Sequence, residues 1–90
     1  MFVLIHQSIN NPDRFWPVFQ SLAPVLPEAI RLHQVMPDSS ANKCTCLCEA
    51  RSLEDVRHFF EFHLKEFSLN EFVEVNNEFN MGLPNSKLYI

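Results

Sequence analysis

Ninety residues make one domain, too short to bury a large core unaided, so association would help it. Hydrophobic residues make up 47 % of the chain, with nine Phe, which excludes disorder. Seven Lys and Arg against eleven Asp and Glu give a formal charge of −4, and this excludes a nucleic-acid partner, which needs a basic face.

The opening run Met1-Phe2-Val3-Leu4-Ile5 has no basic region before it and breaks at His6. It is too short for a signal peptide or a membrane span, so the expected location is the cytoplasm, with no membrane contact. Phe2–Gln7 reads as the first strand, with Phe2, Leu4 and His6 on one face and Val3, Ile5 and Gln7 on the other. Asn11 suits a helix N-cap, Pro12 the first helical position and Asp13 the positive end of the dipole. Phe15, Val18, Phe19 and Leu22 then follow a buried helical stripe. Pro17 predicts either a kink or a short first turn, because its ring clashes with the carbonyl of Asp13. Pro24 and Pro27 end the helix.

Ile30–Met36 is the second predicted strand, followed by a turn-rich hairpin connector, 37–42. Lys43–Ala50 is the third strand and the most strongly patterned stretch. Cys44, Cys46 and Cys48 alternate with Thr45, Leu47 and Glu49. Thiols two apart on one strand face lie about 6.6 Å apart with parallel side chains, poor geometry for a disulfide, so they read as reduced and buried. Pairing Val35 with Thr45, His33 with Leu47 and Arg31 with Glu49 puts apolar against apolar. Ser52-Leu53-Glu54-Asp55 is a capping-box start for a helix running to about Phe67, with Val56, Phe59, Phe60, His63, Leu64 and Phe67 inward. Leu69–Asn76 is the fourth strand, with Val73 and Val75 expected in the core. Residues 1–76 form the domain, and 77–90 a tail expected to pack on it or on a partner subunit.

Strand, helix, strand, strand, helix, strand is the order of the split β-α-β, ferredoxin-like sandwich, an α+β fold. Right-handed crossovers put both helices on one face of a four-stranded antiparallel sheet of order 4-1-3-2. The helix side then takes Val3, Ile5, Ile30, Leu32, Met36, the cysteines, Val73 and Val75. The other face takes Phe2, Leu4, His6, Arg31, His33, Val35, Thr45, Leu47, Glu49, Phe72, Glu74 and Asn76. That face is half apolar and needs a cover, for which a second copy of the sheet is the simplest answer.

This order and mixed second face resemble the dimeric α+β barrel superfamily, which includes small monooxygenases of antibiotic biosynthesis and stress-responsive barrel proteins. The resemblance covers residues 2–76 and implies a homodimer through the sheet face, with a small-molecule pocket in many members. The cofactor-independent monooxygenases of that superfamily use Asn and Trp near the pocket. Trp16, Asn70 and Asn76 are of those types here, matched to no motif.

His6 and His33 project onto the mixed face and are the candidates for catalysis or for a metal, with Trp16 a further candidate that either packs beneath the first helix or lines a pocket. The plainer reading is two hydrogen-bonded histidines in an interface, because the third strand separates their backbones by roughly 9.6 Å. Arg31, Glu49 and Glu74 are candidates for a polar-ligand clamp, against a simple Arg31–Glu49 pair. No metal set and no cofactor is expected. The leading function is a small homodimeric ligand-binding or interaction protein. The alternatives are a cofactor-independent monooxygenase-like or isomerase-like enzyme with a pocket near His6 and His33, and a metal-binding stress-responsive protein.

Overall fold

The computed structural model describes residues 1–88; the last two tail positions, 89 and 90, lie outside the described residues. Strands β1 (Phe2–Ile9), β2 (Ile30–Pro37), β3 (Lys43–Ala50) and β4 (Ser68–Glu74) form one antiparallel sheet of order β2-β3-β1-β4. This is the expected strand order, read from the other edge. Helix α1 (Pro12–Leu22) follows β1, with a short 3-10 turn at Ala23–Val25, and α2 (Leu53–Leu64) follows β3. Both helices share one core cluster with the sheet: Phe15, Phe19 and Leu22 from α1, Val56, Phe60 and Leu64 from α2, and Val3, Ile5 and the three cysteines from the strands.

Local chemistry sets the helix ends. The Asn11 side chain accepts from the Arg14 amide at 3.3 Å, and Ser52 Oγ accepts from the Asp55 amide at 3.1 Å. Helix α1 runs through Pro17 without ending. Pro17 is exposed, so the Asp13 carbonyl it deprives of a donor lies on the solvent side, where water serves it.

The β2 register departs from expectation. Arg31 opposes Glu49 and Leu32 opposes Cys48, but a bulge then shifts the ladder so that Gln34 opposes Leu47, Val35 opposes Cys46 and Met36 opposes Thr45. A bulge adds one residue to one strand and reverses the facing of every residue beyond it. Val35 therefore turns to the cysteine side, and Met36 leaves the expected core and is 49 % exposed.

Strand β4 also faces the opposite way from expectation. Phe72 opposes Ile5 and packs against the core, whereas Val73 opposes Leu4 on the open face. A one-residue slip exchanges the two faces of a strand, and here the larger ring takes the buried side. The Arg57 guanidinium sits over the Phe72 ring at 6.0 Å and adds to that preference.

The cysteines are free and buried, with Cys44 and Cys46 Sγ 3.8 Å apart and Cys46 Sγ 3.5 Å from Gln7 Oε1. Contact with the Cys44 sulfur and burial push the Cys46 thiol up, and burial pushes Cys48 up to about 12. Thiols held neutral and out of solvent react slowly. In native protein, Cys46 and Cys48 should resist a thiol reagent and should label fully after unfolding. Rapid native labelling would contradict the face assignment. Ser52→Ala should cost about 1 kcal/mol in chemical denaturation, since it strips the α2 cap and no core contact.

Candidate functional site

The face of the sheet away from the helices carries the candidate site, and β3 supplies its centre. Leu47 and Glu49 point to this side, yet each is only 4 % exposed. The C-terminal tail supplies the donors that cover this spot. Ser86 Oγ donates to Glu49 Oε2, and the Lys87 amide donates to Glu49 Oε1 at 2.8 Å. The Leu88 amide in turn donates to Ser86 Oγ at 3.3 Å.

His33 completes the arrangement. It stands at the β2 bulge, and its Nε2 lies 3.0 Å from Glu49 Oε1. Burial pushes the Glu49 carboxyl up, but the Ser86 hydroxyl, the Lys87 amide and His33 outweigh it and hold the group below its usual value. Glu49 is therefore ionised and can only accept, so the His33 nitrogen facing it carries the hydrogen. Phe2 packs beside the imidazole, ring centres 5.5 Å apart. Chemically this is a desolvated carboxylate with three donors, suited to holding an extended segment.

The other expected site residues lie elsewhere. His6 is exposed and opposes Thr45, its Nδ1 3.4 Å from Thr45 Oγ1. His33 reaches Glu49, four residues further along β3 and on the far side of that strand. The two histidines are thus not brought together. Among the described residues there is no group of three or more His, Cys, Asp or Glu placed to hold a metal ion. Trp16 lies against Phe15 and Phe19, and its Nε1 donates to the Ala41 carbonyl at 3.0 Å, which ties α1 to the β2–β3 hairpin. Ala41 has φ +61, and Asp38 holds the loop by accepting from the Asn42 and Lys43 amides.

Arg31 is the cross-strand neighbour of Glu49, but the carboxylate pairs with His33 instead. Glu74 opposes Val3, a helix-side residue, on the edge strand at the far side of the sheet from β2. The expected clamp of Arg31, Glu49 and Glu74 is therefore not assembled. Ser86 and Lys87 are the site residues that sequence reasoning missed. Their one available signal was the presence of a carboxylate on the buried central strand, which requires donors from somewhere.

Three clefts open on the surface of the molecule. One of about 510 Å³ lies between Pro27–Ile30 and Glu54, Asp55, His58 and Phe59 of α2. Another, of about 360 Å³, runs along the outer face of α2 past Phe62, and a third, of about 300 Å³, lies by Ala23, Leu26 and Arg31. None of the three is lined by His6, His33 or Trp16. Among the described residues no helix is long and apolar enough to cross a membrane. No protein-family model, curated protein or solved structure matches the chain.

The lowered Glu49 pKa has a defined sign. The carboxylate contributes stability that is fully present above the unfolded value of about 4.3 and is lost as pH falls through the lower folded value. Glu49→Met should lower stability at pH 7 by roughly 1–3 kcal/mol. In urea titrations the gap to wild type should narrow from about pH 5 downward. A gap independent of pH would mean that the carboxylate is not ionised in the fold.

Proposed function

We propose that this chain is a small interaction protein of ferredoxin-like βαββαβ topology that forms a homodimer through the open face of its sheet, after the manner of a dimeric α+β barrel. The observation that carries this reading is the apolar surface left on that face. Met36 is 49 %, Leu69 75 % and Val73 39 % exposed, on both flanks of the strip taken by the tail. Face-to-face packing of two sheets would cover all three in each copy. Fully burying such side chains gains about 1.5–3 kcal/mol each, and these are already partly buried, so six of them supply on the order of 5–10 kcal/mol. Association costs roughly 4–15 kcal/mol, so these side chains alone leave a net gain of at most about 6 kcal/mol, which is dissociation in the tens of micromolar or weaker.

Reduced thiols on β3 support a cytoplasmic location for this dimer. An enzyme working from a pocket at His6 and His33 has less support, since the described clefts open elsewhere and the two rings stand apart. A metal-binding role for the same pair meets the same separation.

The test is sedimentation at about 500 micromolar, well above that dissociation constant. Wild type should run as a dimer and Val73→Arg as a monomer, because the substitution places an unmatched charge on each side of the interface. Leu47 is unsuitable for this test, being buried within its own chain. A monomeric wild type would overturn the dimer.

A further inference from the structure

We propose that the C-terminal tail is exchanged between the two copies of this dimer, so that Ser86 and Lys87 of one chain bind Glu49 of the other. The inference rests on the dimer reading and adds which chain fills the groove over β2 and β3.

Three observations lead to it. First, Glu49 is buried and accepts two of its hydrogen bonds from the tail. If a second sheet simply displaced the tail, the carboxylate would be sealed into the interface with His33 as its remaining partner, at a heavy desolvation cost. Exchange supplies the same hydroxyl and the same amide from the other copy, and no bond is lost. Second, the connection between β4 and the tail can take another path. Residues 75–84 carry no helix or strand, and their local order is a turn in which Asn76 Oδ1 accepts from the Glu78 and Phe79 amides at 2.8 and 2.9 Å. Gly82 has φ +81 and open space around it. Ten extended residues reach about 33–36 Å. That exceeds the smaller extents of the chain, 25 and 19 Å, and the roughly 10 Å between packed sheets. Third, this connection carries Phe79 and Met81, which are 79 % and 94 % exposed. Two large apolar side chains left in water are accounted for if the segment crosses between subunits and lies against the partner. Trading an identical element between protomers builds a dimer at low cost because the contacts already exist within one chain.

The test uses two full-length variants. Glu49→Met keeps a normal tail but removes the acceptor, and the double variant Ser86→Ala, Lys87→Pro keeps the acceptor but removes both donors. Each variant alone loses the contact equally in the closed monomer and in the exchanged dimer, so its homodimer should be about as tight as that of wild type. Mixed, they should form a heterodimer about tenfold tighter than either homodimer, because the intact tail of the first variant meets the intact Glu49 of the second. Tails that stay in their own chain give no such gain, and a heterodimer no tighter than the homodimers overturns the exchange. Wild type supplies a check that needs no substitution. In a dimer of one labelled and one unlabelled copy, an isotope-filtered NOE should join the Lys87 amide to the Glu49 side chain across the interface. If that contact is confined to one chain while sedimentation still shows a dimer, exchange fails and the face-to-face dimer stands. A monomeric wild type overturns both.

Discussion

A four-stranded sheet has two faces, and two helices cover one of them. That constraint bears hardest on β3, which lies inside the sheet between β1 and β2. Its cysteine side is closed by α1 and α2. Its other side carries Leu47 and Glu49, which have to be closed by something else. Both ends of the chain are drawn into that task. The N-terminal ammonium donates to the Ala50 carbonyl at 2.8 Å, the Val75 amide donates to the Phe2 carbonyl at 2.9 Å, and the tail then returns across the face to Glu49.

The tail cannot be a purely apolar cover, because the residue beneath it is a carboxylate. An ionised group out of water needs donors of good geometry or it neutralises. The backbone amide at Lys87 and the hydroxyl at Ser86 supply two, and the bulge in β2 supplies the third by turning His33 onto Glu49. The bulge and the tail therefore serve one group. The hydrogen bonds give position as well as stability, because three donors on different segments meet one carboxylate. Their consequence is to define where the tail sits.

Much of the fold was legible in the sequence. The strict alternation over Lys43–Ala50 gave the strand, its bounds and its buried thiol face, and Asn11 and Ser52 marked both helix starts. The failures have one physical origin. A period of two says that a strand has two faces but not which one is inside, so Phe72 and Val73 were exchanged by a single step. The bulge at His33 was invisible for a related reason: every residue after it changes face while the sequence pattern continues unbroken. Of the candidate site, His33 and Glu49 could be named from the strand pattern. Ser86 and Lys87 could not, because a tail without periodicity carries no local signal of what it will touch. For Trp16 the sequence left packing beneath α1 and lining a pocket both open, because the partner that decides it, the Ala41 carbonyl, lies in the distant hairpin.

The edges of the sheet bear on how two copies would meet. An exposed edge strand is the usual route by which β proteins associate, through its unpaired amides and carbonyls. Here β2 and β4 are the edges. The β2 edge is interrupted by the bulge and ends on Pro37, which has no amide to offer. The β4 edge carries the exposed carboxylates of Glu71 and Glu74, so a second β4 strand laid along it brings like charge near like charge. Edge pairing is thus blocked on one side by geometry and opposed on the other by charge. The open face has neither obstacle: its central carboxylate is already paired, and apolar side chains flank it. Self-association driven by burial would therefore stack sheet on sheet and would not extend the ladder.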